Sequence, residues 1–316
     1  MFKTPKFWDK PNYLSLALQP LSWGYNLASH LYRKSITPEK VSVPVICVGN
    51  LVMGGAGKTP TVIAIVKILQ SLGHTPHILS RGYGVSIKGT LRVDLKNHTY
   101  LQVGDEPLLL ARVAPTWVGS DRKKAAKAAI EHGASILIMD DGLQNPSLIK
   151  DFNFVVIDAL QWFGNEMVFP AGPLREPLEQ GLAKAQSIII IGDSSSLKTN
   201  FIDQLNAQLI CDGPVKPQPV VAFAGLGYPQ KFHNTLILYG YEVKEFISFA
   251  DHHPYTFTDI QHLKKIADTH KVSLITTSKD HLRLPREVQS QIMDFPVALK
   301  FDNLKKIEKL LTRFKL

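Results

Sequence analysis

Three clusters of residues have types and spacings suited to phosphoryl chemistry. In Gly54-Gly55-Ala56-Gly57-Lys58-Thr59, glycines let backbone N–H groups turn inward around phosphate oxygens. Lys58 is placed to reach β- and γ-phosphates, and the Thr59 hydroxyl suits Mg²⁺. The strict G-x-x-x-x-G-K-T pattern wants glycine at position 52, where this chain has Val52. The second cluster is Asp140-Asp141, closing the apolar run Ser135–Met139, and an acid at such a strand end anchors Mg²⁺ in nucleotide-handling loops of this kind. The third, Asp105-Glu106-Pro107, offers two carboxylates in a turn-like setting. From residue types alone it reads equally well as acids capping a helix.

Elements of alternating type must hold these residues. Short apolar runs at Val43–Val48, His77–Leu79, Thr116–Gly119, Ile136–Met139, Phe154–Ile157 and Ile188–Ile191 read as strands, with helical patterns at Thr61–Leu72 and Asp121–His132. Several runs are apolar on both faces, as in a buried parallel sheet flanked by helices. The predicted fold is α/β, a doubly wound, P-loop NTPase-like α/β/α domain over residues 36–211. The Pro/Gly-rich segment 212–219 reads as a linker to a smaller α/β domain, 220–316. That domain has strands at Val220–Ala224, Ser273–Thr276 and Val297–Phe301 and helices at Asp259–His270 and Leu304–Phe314.

The 316 residues, 45% hydrophobic and 20% charged, exclude a mostly disordered chain, a collagen-like repeat and a coiled coil. Two cysteines, Cys47 and Cys211, argue against a disulfide framework or a cysteine zinc site and for a reducing compartment. The net charge of +9 points to an anionic partner. No zinc spacing, helix–turn–helix or aromatic-interleaved basic sheet accompanies it, so nucleic acid is not expected. Residues 1–35 combine Trp8, Trp23, Tyr25 and Tyr32 with Lys3, Lys6, Lys10, Arg33 and Lys34, and a helix is expected from about Pro20. They lack a signal peptide's continuous apolar core and a transmembrane length. An amphipathic anchor on a membrane surface and a helix packed on its own domain both fit.

Met53 stands where partition-type and metal-delivery ATPases carry an extra lysine. Ser278-Lys279-Asp280 lacks the spacer of a guanine-specific motif. Both favour an ATP-using small-molecule or lipid kinase over a GTPase switch. A soluble P-loop ATPase acting as a conformational switch is the alternative.

The chain resembles the tetraacyldisaccharide 4′-kinases of lipid A biosynthesis. The resemblance rests on Val48-Gly49-Asn50-Leu51 leading into the glycine loop, Ser80-Arg81-Gly82-Tyr83-Gly84, Val103-Gly104-Asp105-Glu106-Pro107, Asp121-Arg122 and Asp140-Asp141-Gly142-Leu143-Gln144. It continues through Gly172-Pro173-Leu174-Arg175-Glu176-Pro177, Phe223-Ala224-Gly225-Leu226-Gly227, Asp251-His252-His253 and Thr276-Thr277-Ser278-Lys279-Asp280. Leu143 and Ser278 stand where phenylalanine and glutamate are commoner. The resemblance implies transfer of the ATP γ-phosphoryl to the 4′-hydroxyl of a tetraacylated disaccharide 1-phosphate, giving lipid IVA, at the cytoplasmic face of a Gram-negative inner membrane. It implies two α/β/α domains with the site between them, and it favours the membrane reading of the N-terminal helix.

The resemblance also implies roles. Asp105 is the base, supported by His252, with Lys58 catalytic and His253 structural. Gly54, Gly55, Ala56, Gly57, Lys58 and Thr59 bind the nucleotide. Thr59, Asp140 and Glu106 belong to the Mg²⁺ site. Arg122, Arg175 and Arg81 are candidates for bidentate phosphate contacts, and Gln144 for orientation near the γ-phosphate or Mg²⁺. Gly225 and Gly227 read as a hinge or a plain turn, and Lys279-Asp280 as a pair near the nucleotide.

Overall fold

The structure is a computed structural model that describes residues 5–82, 87, 89–193 and 203–314. The expectations for Lys3, Tyr83 and Gly84 lie outside the described residues. The strands in chain order are β1 (Val45–Gly49), β2 (Pro76–Ser80), β3 (Thr90–Arg92), β4 (Thr116–Gly119), β5 (Ile136–Asp140), β6 (Phe152–Asp158) and β7 (Ser187–Ile191). They continue with β8 (Gln204–Cys211), β9 (Pro219–Ala224), β10 (Glu242–Ser248), β11 (Ser273–Thr277), β12 (Met293–Phe295) and β13 (Val297–Phe301).

Among the described residues nine strands form one sheet in the order β13-β8-β7-β6-β1-β5-β2-β4-β3. From β8 across to β4 the pairings are parallel, and the β3·β4 edge is antiparallel. Alternation along the strands divides their residues between two cores. Ile46, Val48, Ile138, Phe154 and Ile189 pack with Val62, Ile65 and Leu69 of helix Lys58–Ser71. Val45, Cys47, Met139, Val155 and Ile190 face the side that holds Ala125, Ala126 and Ala129 of helix Arg122–Glu131. Two-sided burial is why these strands read as continuous apolar runs. After β1 the chain winds toward β2, β3 and β4, returns to β5 beside β1, then crosses to β6 on its other side. The crevice at such a reversal, beyond the carboxyl ends of the strands, is where α/β sheets bind ligands.

The chain divides into two compact units, one of Pro5–Leu209 with Leu299–Leu316, the other built on Ile210–Ala298. The predicted boundary at 220–316 is therefore corrected at both ends. The 212–219 segment lies within the smaller unit, and Val297–Phe301 pairs into the nine-stranded sheet beside β8. Leu299, Phe301, Ile307, Leu310 and Leu311 are buried in the larger unit's core. A local pattern cannot reveal that return, because the partners are distant in sequence. The smaller unit carries a parallel sheet β10-β9-β11-β12, covered on one face by helix Phe257–His270 through Ile260 and Leu263.

The N-terminal helix runs Tyr13–Lys34, starting seven residues before the expected Pro20. The Asn12 side chain accepts from the Ser15 amide while the Ser15 hydroxyl receives the Asn12 amide, a reciprocal cap that sets the true start. Pro20 sits within the helix.

Candidate active site

The glycine loop is placed by β1 and by helix Lys58–Ser71. Gly49 ends β1 so close to Leu143 that a Cβ there would meet the Leu143 Cβ at 2.6 Å. Gly57 caps the helix in the left-handed region, φ 82°, with Ile191 at 2.5 Å from any Cβ. Both constraints select glycine. At Gly54 and Gly55 a Cβ would meet nothing within 4 Å, and Gly54 is also left-handed at φ 116°. That side of the loop is an open backbone cradle, suited to phosphate oxygens at a helix N-terminus.

Position 52 breaks the strict pattern for a visible reason. Val52 forms an antiparallel bridge with Leu174. The Met53 amide donates to the Pro173 carbonyl at 2.8 Å, and the Arg175 amide to the Leu51 carbonyl at 2.8 Å. The Gly172–Pro177 motif thus braces the phosphate loop from behind, and a β-branched residue suits the extended backbone of a bridge.

Lys58 lies in a polar network. Its Nζ donates to Asn50 Oδ1 at 3.2 Å and stands 3.7 Å from Asp141 Oδ1. Arg175 Nη1 reaches the same Asp141 oxygen at 2.8 Å and Gln144 Oε1 at 3.5 Å. Gln144 Nε2 donates to the Asn50 carbonyl and to Glu176 Oε1, both at 3.1 Å, and the buried Glu176 is paired by Lys184. Burial would raise the Asp141 carboxyl, but Lys58 and Arg175 together hold it below the usual carboxylate range. Arg175 and Gln144, expected at phosphate, are here bonded to Asp141, Asn50 and Glu176. Asn50, Glu176 and Asp141 have no role assigned from the sequence, where Asp140 alone is given to Mg²⁺. The signal available was the strand period, because successive residues at a strand end point to opposite sides.

Asp140 takes the other direction. It ends β5 in register with Val48 of β1, is 2% exposed, and accepts from the Ser80 hydroxyl at 3.2 Å. Asp141 leaves the strand in a left-handed turn, φ 52°. Arg122 is buried, its Nη1 donating to the Gly119 carbonyl at 2.8 Å and to the Ser80 carbonyl. Burial pulls its guanidinium down to about 10, and the Asp140 carboxylate opposes that fall while Arg81 adds to it. Arg122 therefore ties the ends of β2 and β4, whereas Arg81 is exposed just past β2.

Asp105 and Glu106 open the short helix Asp105–Ala111, which packs on helix Lys58–Ser71. Asp105 is 4% exposed and its Oδ1 accepts from the Glu106 amide at 2.8 Å. Gly104 is the N-cap and no side chain caps this helix, so Asp105 is a buried first-turn acid rather than a capping one. Thr59 is likewise buried.

In the smaller unit His252 adopts φ 55° and lies 3.8 Å from Asp251. His253 stacks on Phe249 with centroids 4.7 Å apart and contacts Asp259 at 3.1 Å. Asp280, of the Lys279-Asp280 pair, is fully buried against the Gly225 amide and Arg283.

A glycine cradle between the first strand and its helix, at the reversal of a doubly wound sheet and beside an acid ending the neighbouring strand, defines a P-loop kinase fold. Residues 14–315 match the family described as Tetraacyldisaccharide-1-P 4′-kinase, and this chain belongs to that family. The tetraacyldisaccharide 4′-kinase of Paramagnetospirillum magneticum is 45% identical, covering 95% of each chain. That of Hyphomonas neptunium is 42% identical over 98% of this chain and 97% of its own. A crystal structure of LpxK from Aquifex aeolicus in complex with ATP superposes with a TM-score of 0.78. It is 29% identical and covers 96% of this chain and 100% of that one.

Proposed function

We propose that this protein transfers the γ-phosphoryl group of ATP to the 4′-hydroxyl of tetraacyldisaccharide 1-phosphate, giving lipid IVA, at the cytoplasmic face of a Gram-negative inner membrane. The observation that carries the reading is the open backbone at Gly54 and Gly55 with Lys58 beside it, in a chain matched to the kinase family over residues 14–315. Phosphoryl transfer asks mainly for positioning and charge stabilisation. Gly54, Gly55, Ala56 and Gly57 hold the phosphates through backbone amides. Lys58 exchanges Asn50 and Asp141 for the β- and γ-phosphates, and Asp141 passes its charge balance to Arg175.

Among the described residues no three His, Cys, Asp or Glu side chains converge as a metal cage. The Thr59 hydroxyl and the Asp140 carboxylate are hard oxygen donors of the kind Mg²⁺ takes, with phosphates and water completing its shell. Bound there with Glu106 nearby, Mg²⁺ would neutralise charge developing on the transferred group. Asp105 accepts the proton of the 4′-hydroxyl, and His252 supports it. Arg81 contacts substrate phosphate. Arg122, Arg175 and Gln144 fix the ends of the strands and loops that carry these groups.

The helix Tyr13–Lys34 supports the membrane reading. Its buried residues are Ser15 and Ser22, the latter donating to the Val168 carbonyl at 2.8 Å. Leu16, Trp23, Leu27 and Leu31, on one stripe, are 52–68% exposed. A helix whose fully buried residues are serines and whose apolar stripe faces outward suits a lipid interface. Among the described residues no helix is long and apolar enough to cross a membrane.

The test is ATP-dependent phosphate transfer to purified tetraacyldisaccharide 1-phosphate in detergent micelles. Expected is a 4′-phosphorylated product and ATP turnover that requires the lipid. ATP turnover undiminished without acceptor, and no lipid product, would leave the conformational-switch ATPase instead.

A further inference from the structure

A buried ion pair in the smaller unit has no part in the chemistry above. Asp280 is 0% exposed and Arg283 2%. Asp280 Oδ1 accepts from the Gly225 amide at 2.8 Å, the Tyr255 hydroxyl at 2.5 Å and Arg283 Nη2 at 2.7 Å. Its Oδ2 accepts from the Thr277 hydroxyl at 2.6 Å. Arg283 Nη2 also donates to the Gly225 carbonyl at 2.9 Å, and Nη1 to the His253 carbonyl at 3.4 Å. The ion pair thus bonds both the amide and the carbonyl of Gly225. Gly225 has no room for a side chain, since a Cβ would meet the Ala250 carbonyl oxygen at 2.8 Å.

The same Gly225 carbonyl receives the His252 amide at 3.2 Å. His252 is left-handed at φ 55°, a conformation that costs a non-glycine residue energy and persists where neighbours over-determine it. Its flanks are fixed as well, the Phe249 amide by the Ala224 carbonyl at 2.9 Å and the His253 carbonyl by Arg283. A buried ion pair is weak evidence of stabilisation, because removing two charges from water offsets most of their attraction. Its best-attested use is to specify geometry.

We infer that Asp280, Arg283 and Tyr255 are positioning residues that lock Gly225 and, through its carbonyl, hold His252 in its left-handed pose. This rests on the reading of His252 as support for the base. The pair bonds groups at Gly225, His253, Tyr255 and Thr277, so loosening it shifts the imidazole without touching substrate.

The decisive measurement compares Tyr255→Phe, Arg283→Lys and His252→Ala, singly and combined, in the full-length protein with ATP and tetraacyldisaccharide 1-phosphate in micelles. Tyr255→Phe removes one of three donors to Asp280 Oδ1 and keeps the ring. It should lower kcat about tenfold with both KM values within about twofold, the pattern of a misplaced group acting in the transition state. In the His252→Ala background the same change should cost less than about twofold, since nothing remains to be positioned. Arg283→Lys keeps the charge but loses the planar fork, and should behave like Tyr255→Phe in both backgrounds. Equal losses with and without His252 would show a general structural role and overturn the inference. Unchanged kcat in Tyr255→Phe and Arg283→Lys would do so too. A wild-type kcat in His252→Ala would instead remove the reading beneath it, an outcome visible in that single variant alone.

Discussion

Lys58 is the residue on which the nucleotide reading turns. Its ammonium already has two oxygen partners, Asn50 Oδ1 and the Asp141 carboxylate, so it is held in place beside the cradle. Lys58→Ala should therefore reduce kcat by orders of magnitude while the protein stays folded, because Arg175 still pairs Asp141 once the ammonium is gone. Normal phosphoryl transfer by well-folded Lys58→Ala protein would contradict the P-loop assignment. The glycine loop and its lysine are legible in the sequence because their function is a backbone conformation, and glycine spacing writes that directly. The acid pair is not fully legible. Asp140 is assigned to Mg²⁺ and Asp141 is given no role of its own, yet Asp140 bonds Ser80 while Asp141 bonds Arg175 and stands by Lys58. Adjacent residues diverge at a strand end, and only the neighbouring strands show where each one goes.

At the scale of elements, runs buried on both faces are legible nearly to the residue, as at Thr116–Gly119, because a short continuous apolar run between turn residues is the mark of a central strand. Strands with solvent on one side, such as β10 with its Glu242, Lys244 and Glu245, escape such a reading, since their pattern is diluted by charge. The helix Tyr13–Lys34 has an outward apolar stripe and Lys10, Arg33 and Lys34 nearby. Full-length protein should float with anionic liposomes, protein lacking its first 35 residues should not, and salt should weaken the binding. Equal recovery of both forms would remove the anchor. Strand β2 carries a second consequence. His77 is buried, accepts from the Trp117 indole at 3.3 Å, and burial, with Arg92 nearby, lowers its pKa from 6.5 to about 4. The folded state then refuses a proton that the unfolded chain accepts between these values. Its contribution is fully present above pH 6.5 and is lost as pH falls toward 4, up to about 3 kcal/mol at 1.36 kcal/mol per unit. Urea unfolding at pH 7 and pH 4.5 should show His77→Gln losing less stability on acidification than wild type. Equal losses would place the acid sensitivity elsewhere.

At the scale of the whole molecule, the chain leaves the larger unit after Leu209 and returns at Leu299. Five returning side chains are buried there. At about 1.5–3 kcal/mol each they contribute on the order of 10 kcal/mol, comparable with a domain's total stability. Ending the chain at Ala298 should therefore unfold the larger unit, seen as loss of its cooperative melt, and a truncated protein that melts normally would refute this. Asp105 lies in the larger unit and His252 in the smaller, and both are proposed to serve the 4′-hydroxyl proton. If they act together, removing either should lower kcat far more than it raises KM, by about 10²–10⁴-fold for a general base. That equals roughly 3–5.5 kcal/mol at 1.36 kcal/mol per decade. Groups acting as one are non-additive, so Asp105→Ala with His252→Ala should be scarcely worse than the poorer single variant. The base must be unprotonated to accept the hydroxyl proton, so activity should fall at acid pH with an apparent pKa that belongs to the pair. The measurement is kcat and KM for both single variants and the double variant at saturating ATP. Losses that multiply would separate the two residues, and a near-wild-type kcat in Asp105→Ala would leave the 4′-hydroxyl proton without this acceptor.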